Sequence, residues 1–166
     1  MLKCLLLQEN TMLEIERKFL VKNEDFKKEA YQSFHIKQGY LNSHPERTTR
    51  IRIKENKAFM TVKGKSSESG LSRFEWEKEI DLKDAEALLQ LCEPGKIEKT
   101  RFLVKSGNHI FEVDEFYGEN EGLIVAEVEM NSESDQVLLP DWLANEVTGE
   151  QKYYNSALTQ KPFKTW

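Results

Sequence analysis

The sequence predicts a mainly β, α+β fold built on a largely antiparallel sheet of eight strands, and three observations lead there. Eight segments carry period-two patterns of β-branched, aromatic and charged residues, at 13–22, 36–42, 48–55, 58–64, 73–81, 97–105, 109–115 and 123–131. Several are joined by short links of turn-forming residues, LNSHPER, KENKA and YGENEG. Most are separated by no helix-length crossover, which disfavours parallel pairing. Eight such strands suffice to close a barrel with an interior.

Taken in order, the first segment puts Leu13, Ile15, Arg17 and Phe19 on one face and Glu14, Glu16 and Lys18 on the other. Asn23 then caps a predicted helix in NEDFKKEAYQ, with acidic residues in its first turn. Four strands follow, the third and fourth divided by GKSSESG, residues 64–70, a Ser/Gly-rich loop. In LKDAEALLQLC a single stripe holds Leu82, Ala85, Leu88, Leu89 and Cys92, and the helix stops before Pro94-Gly95. Three more strands lead to a predicted third helix in PDWLANEV, 140–147, and a short one in YYNSALT. Residues 12–166 read as a single domain and residues 1–11 as an N-terminal extension, with Met12 a plausible alternative start.

Composition narrows the function. Of the 166 residues 39% are hydrophobic but 32% are charged, above the usual quarter, so charge must cover the surface generously or enter the interior. The net charge of −5 disfavours a nucleic-acid or membrane-surface binder. The two cysteines, Cys4 and Cys92, fit no metal or redox spacing, no membrane span is present, and a cytoplasmic protein is expected.

Dividing each strand into its faces repeats the pattern of the first. Arg50, Arg52 and Lys54 oppose Ile51 and Ile53; Lys63 opposes Met60 and Val62; Arg73, Glu75, Glu77 and Glu79 oppose Phe74, Trp76 and Ile80. Lys99 and Arg101 oppose Phe102 and Val104, Glu112 and Asp114 oppose Phe111 and Val113, and Glu127 and Glu129 oppose Ala126, Val128 and Met130. For one strand a water-facing polar side explains this. Across the set, the polar positions are nearly all ionic, with few of the Thr and Ser that exposed strands favour. If that face points inward, the interior is a wet tunnel of opposed charges, which is tolerable only with water, ions and a charged ligand. So many Lys and Arg suit a string of phosphates. The carboxylates would repel such a polyanion unless hard cations such as Mg²⁺ or Mn²⁺ stood between.

The same residues carry a resemblance to the CYTH superfamily, the triphosphate tunnel metalloenzymes. The E-x-E-x-K strand reads Glu14-Ile15-Glu16-Arg17-Lys18, followed in order by QGYL (38–41), RIR (50–52), TVKG (61–64), SRFEWE (72–77), EKTRF (98–102), FEVDEF (111–116), LIVAEVEM (123–130) and EVTGEQKYYNSAL (146–158). The resemblance implies an eight-stranded antiparallel β-barrel tunnel with helices outside, binding a triphosphate with two Mg²⁺ or Mn²⁺ ions. It implies metal ligands at Glu14, Glu16, Glu75, Glu77, Asp114, Glu127 and Glu129, and phosphate contacts at Lys18, Arg50, Arg52, Lys63, Arg73, Lys99 and Arg101. Glu14, Glu16, Lys18, Lys99 and Tyr40 are the candidate catalytic residues. Glu112 occupies a family-like acidic position, and Lys54 faces either a tunnel mouth or solvent.

The compact form looks like the bacterial members that hydrolyse inorganic tripolyphosphate to pyrophosphate and phosphate. An adenylyl cyclase, a thiamine or nucleoside triphosphatase, and a non-catalytic polyphosphate-binding module remain open alternatives, and homodimerisation is a family-like possibility. GEQKYYNSAL is less basic than related bacterial sequences, which marks this stretch as a place where substrate choice resides. Gly64-Lys65-Ser66 is not a P-loop, since the earlier glycine would fall at Phe59, and His35, His44 and His109 lack zinc spacing. Trp76, Trp142 and Trp166 read as packing residues.

Overall fold

The computed structural model describes residues 12–166, and the expected extension at 1–11 lies outside the described residues. Strand β1 (Leu13–Val21) is followed by a short helix α1 (Phe26–Glu29), then β2 (Gln32–Asn42), β3 (Arg47–Lys54), β4 (Lys57–Gly64) and β5 (Ser72–Ile80). Helix α2 (Leu82–Leu91) leads to β6 (Ile97–Ser106), β7 (His109–Phe116), β8 (Ile124–Glu129), β9 (Leu143–Glu146) and α3 (Asn155–Gln160). The strands run in the order β5-β4-β3-β2-β6-β7-β8-β1, and pairing of β1 with β5 closes them into an antiparallel eight-stranded barrel.

That seam is brief. Only residues 13–15 of β1 pair with β5, while Phe19 and Val21 pair with β9 along the same edge. The ninth strand corrects the helix expected at 140–147. Trp142, Leu143 and Val147 suit a helical stripe, but Leu143 and Glu146 pair with the free half of β1, and Val147 donates its N–H to the Lys18 carbonyl. Tertiary pairing overrides local propensity here. The first helix is likewise shorter than NEDFKKEAYQ suggests, because Tyr31 and Gln32 are drawn into pairing with Leu103 of β6. Asn23 accepts the Asp25 N–H as a turn side chain rather than capping a long helix.

The apolar faces point outward and are covered over most of the barrel, while Leu13 and Phe74, paired at the β1–β5 seam, stay exposed. Phe19, Phe111, Val113 and Val128 are buried beneath Phe26 of α1 and Trp142, whose indole N–H donates to Glu29. On the other flank Ile51 and Ala58 pack against Ala85 and Leu89 of α2. A third cluster has a different position. Ile97, Phe116 and Val125 continue the inward-facing rows of β6, β7 and β8, and Leu123, Val147, Tyr153 and Leu158 pack against them, so one end of the barrel is stoppered by apolar side chains. The loop between β4 and β5 is clasped to the turn at 147–150: a Cβ on Gly70, whose φ is +73°, would lie 2.4 Å from the Gly149 Cα. Among the described residues, no helix is long and apolar enough to cross a membrane.

Candidate active site

Strand alternation delivers the charged face to the inside of the barrel. A cavity of about 210 Å³ is lined by Glu14, Glu16 and Lys18 of β1, Tyr40 of β2, Arg50 and Arg52 of β3, and Lys63 of β4. Arg73, Glu75 and Glu77 of β5, Lys99 and Arg101 of β6, Glu112 of β7, and Glu127 and Glu129 of β8 complete the predicted set. Of the predicted site residues only Asp114 is outside the lining; it lies behind Lys99 and Arg101. Lys54 stands beside the site, its Nζ 3.8 Å from the centroid of the Phe34 ring.

Most of these charges already hold one another. Lys18 Nζ lies 3.0 Å from Glu127 Oε1, and Lys63 Nζ bridges Glu14 at 2.7 Å and Glu75 at 2.8 Å, with Arg73 Nε also 3.3 Å from Glu14. Arg50 reaches Glu77 at 3.3 Å and Thr61 at 3.0 Å. At the stoppered end Lys99 Nζ donates to Asp114 at 2.6 Å and to Asn155 Oδ1 at 2.8 Å. Arg101 forks onto both Asp114 oxygens at 2.7 Å and also donates to Glu112. Asp114 is therefore fully engaged in holding two cations.

The exceptions are informative. Arg52 is the lining cation with no carboxylate partner among the described residues; its Nε donates to Gln38 Oε1 at 3.0 Å. Beside it, Arg50 Nε is buried without a hydrogen-bond partner among the described residues. On β1 and β8, Glu16 and Glu129 stand directly opposite each other in register and, among the described residues, neither meets a cation. Facing carboxylates on adjacent strands repel. Among the described residues the interior thus holds a cationic corner on β3 with one unbonded guanidinium nitrogen, and a carboxylate pair on β1 and β8 that meets no cation.

Burial and neighbours set the ionisation. Burial, with Glu127 and Glu14 adding repulsion, raises Glu16 to about 7. Burial also opposes charge on Glu14, but Lys63 and Arg73 prevail and hold it at about 2. Burial brings Lys99 down to about 7 against the attraction of Asp114, with Arg101 and Arg52 repelling it. Arg52 falls to about 10 through burial and its neighbours Arg50 and Arg101. Glu129 is raised by burial and by Glu14, Glu112 and Glu75.

The donor set fits a hard divalent cation, being carboxylate oxygens with two members otherwise unpartnered. Among the described residues, however, no three His, Cys, Asp or Glu side chains are gathered closely enough to hold a metal. The lysines and arginines other than Arg52 account for this, since each of them draws a carboxylate toward itself. Thr48 also joins the lining, as do Tyr154, Asn155 and Ser156 from the GEQKYYNSAL stretch, and Gln38 of QGYL joins its hydrogen bonds; none of these is among the individually predicted site residues. Gln38 shares the face of Tyr40 and was readable from alternation; Asn155 arrives on α3, with no strand register to place it.

A CYTH domain model matches residues 12–161. The chain is 41% identical over 154 residues to an inorganic triphosphatase of Acetivibrio thermocellus, covering 92% of this chain and 97% of that one. To an inorganic triphosphatase of Nitrosomonas europaea it is 38% identical over 152 residues, covering 89% and 97%. Among solved structures, the inorganic triphosphatase NE1496 superposes with a TM-score of 0.62 at 33% identity, covering 88% of this chain and 93% of that chain. Matched in sequence along nearly its whole described length and in its barrel, the chain belongs to the CYTH family.

Proposed function

We propose that this protein is a divalent-metal-dependent triphosphatase that hydrolyses inorganic tripolyphosphate to pyrophosphate and phosphate inside the barrel. The observation that carries the reading is a pair of imbalances among the described residues, Arg52 without a carboxylate and Arg50 Nε without an acceptor on β3, and Glu16 and Glu129 without a cation on β1 and β8. A polyphosphate and its cations supply what each side lacks. The names of the Acetivibrio and Nitrosomonas relatives support the same substrate.

Glu16 and Glu129, with Glu14, Glu127, Glu75 and Glu77 once their basic partners turn to phosphate, would hold Mg²⁺ or Mn²⁺, two ions in the simplest arrangement. Such an ion, when bound, polarises phosphoryl oxygens and makes water more acidic. Arg50, Arg52, Lys63 and Arg73 grip phosphate oxygens, and Arg101 and Lys18 offset charge that builds toward the leaving group. Lys99, brought near 7 and fixed by Asp114 and Asn155, can hold or release a proton at neutral pH. Asp114 acts in this scheme by positioning Lys99 and Arg101. Tyr40, in register with Arg50, is placed to meet a phosphate oxygen or the water. We take residues 12–166 as one domain, since a single sheet runs through them, and a cytoplasmic setting as part of the proposal.

The test is phosphate release from tripolyphosphate with Mg²⁺, with Mn²⁺ and with chelator. Release that requires metal is the expected result; no release with either metal would overturn the reading. A pH dependence accompanies it. Glu16 is raised, so in the metal-free protein its stabilising contribution is present below its unfolded value of 4.5 and is lost as pH rises through about 7. A metal must displace that proton, so Mn²⁺ affinity measured by calorimetry should fall about tenfold from about pH 8 to about pH 6, with proton release on binding.

A further inference from the structure

Tyr154 lines two cavities at once. One is the tunnel; the other is a lateral cavity of about 440 Å³ bounded by the turn at 44–46, the loop at 65–70, Gly149 and Gln151, and the two linings share no other residue. The ring faces the tunnel's cations, with Lys18 Nζ 4.8 Å and Arg73 Cζ 5.3 Å from its centroid. Its hydroxyl reaches the other way, 3.4 Å from Ser66 Oγ on the loop that walls the lateral cavity. One side chain thus forms the partition.

We propose that Tyr154 determines specificity, holding the site to bare triphosphates by closing the tunnel off from a space large enough for an organic group. The inference rests on the triphosphatase reading above. A bare tripolyphosphate needs only the charged lining, and the aromatic face serves it by keeping Lys18 and Arg73 in place through cation–π attraction. A triphosphate esterified to a nucleoside must put its sugar and base somewhere. The lateral cavity has the size of an ordinary organic-ligand pocket, several hundred Å³, and Ser66, Ser67 and Glu68 offer hydroxyl and carboxylate partners for polar edges. The Gly70–Gly149 clasp holds this loop against the 147–150 turn, so the space is framed by fixed backbone on two sides. What stands between it and the phosphates is the Tyr154 ring.

The experiment compares kcat/KM for ATP and for tripolyphosphate, since discrimination is the ratio of these values. Tyr154→Ala and Tyr154→Leu should raise the ATP-to-tripolyphosphate ratio about tenfold or more, within the range one pocket contact commands. Tyr154→Phe, which keeps the ring, should leave the ratio where it was. Adding Gln151→Trp to Tyr154→Ala refills the lateral cavity and should return the ratio toward that of the unaltered protein, which a general loosening of the site would not do. An unchanged ratio in both truncated variants overturns the inference. If the unaltered protein hydrolyses neither compound, the triphosphatase reading fails separately, and calorimetric affinities of the same variants for ATP and tripolyphosphate then decide the role of Tyr154 by the same ratio.

Discussion

Glu16→Gln is expected to reduce metal-stimulated phosphate release by more than the ~10–100-fold that outer-shell changes around a metal cause, while leaving the fold as stable as before or more so. The two halves of the expectation have one source. Glu16 meets no cation among the described residues, stands opposite Glu129, and is pushed up to about 7 by burial and by Glu127 and Glu14. Near neutrality in the metal-free state it is half protonated, and glutamine, neutral and of the same shape, replaces the protonated acid without strain. The charged form, which the metal requires, is what the substitution removes. Thermal melting and Mn²⁺ calorimetry separate the two effects, and the variant should also lose the pH dependence of metal affinity. A variant that melts much earlier than the parent would show instead that the Glu16 carboxylate supports the barrel.

Arg101→Met should behave in the opposite way, losing about 3–5 kcal/mol of stability, the usual result of stripping one partner from a buried ion pair. Arg101 satisfies both oxygens of Asp114 and also binds Glu112, and Asp114 is 1% exposed. Without the guanidinium, Lys99 alone must hold a carboxylate that burial opposes. The double variant Arg101→Met with Asp114→Leu should recover part of the loss, because an apolar replacement of a buried pair is often neutral and Lys99, already lowered to about 7 by burial, can shed its proton when Asp114 is removed. Urea unfolding of the two single variants and the double gives the coupling directly. Recovery of the fold without recovery of turnover is expected. If Arg101→Met unfolds at the parent's midpoint, the buried cluster does not carry the stability assigned to it.

The contrast also shows where sequence reading succeeds. An inward ionic face repeated on seven strands is legible because alternation has a fixed period and because Glu, Lys and Arg are unambiguous letters in it. The same alternation is silent when the inward residue is apolar. Ile97, Phe116 and Val125 point into the barrel, yet nothing in their identity distinguishes them from residues facing the outer layers, so their part in the stoppered end is not legible. PDWLANEV failed for another reason, since a four-residue strand is too short to show a period and owes its state to the open edge of β1. Asn155 and Tyr154 reach the interior from a segment whose path is set by packing of Tyr153 and Leu158, which no local pattern encodes.

Seven basic and seven acidic side chains line the cavity, and most are already matched with one another. Such an interior is a loaded ion exchanger. Chloride or a single orthophosphate brings too little charge to displace several carboxylates from their counterions, and a free divalent cation finds most of its oxygens taken. A ligand that delivers many negative charges together with its own cations can exchange both populations in one event. Selectivity of this kind scales with charge number, and because these pairs are buried, salt screens them far less than it screens pairs on a surface, so the mutual pairing of the residues is itself a filter against the small anions that crowd any cell.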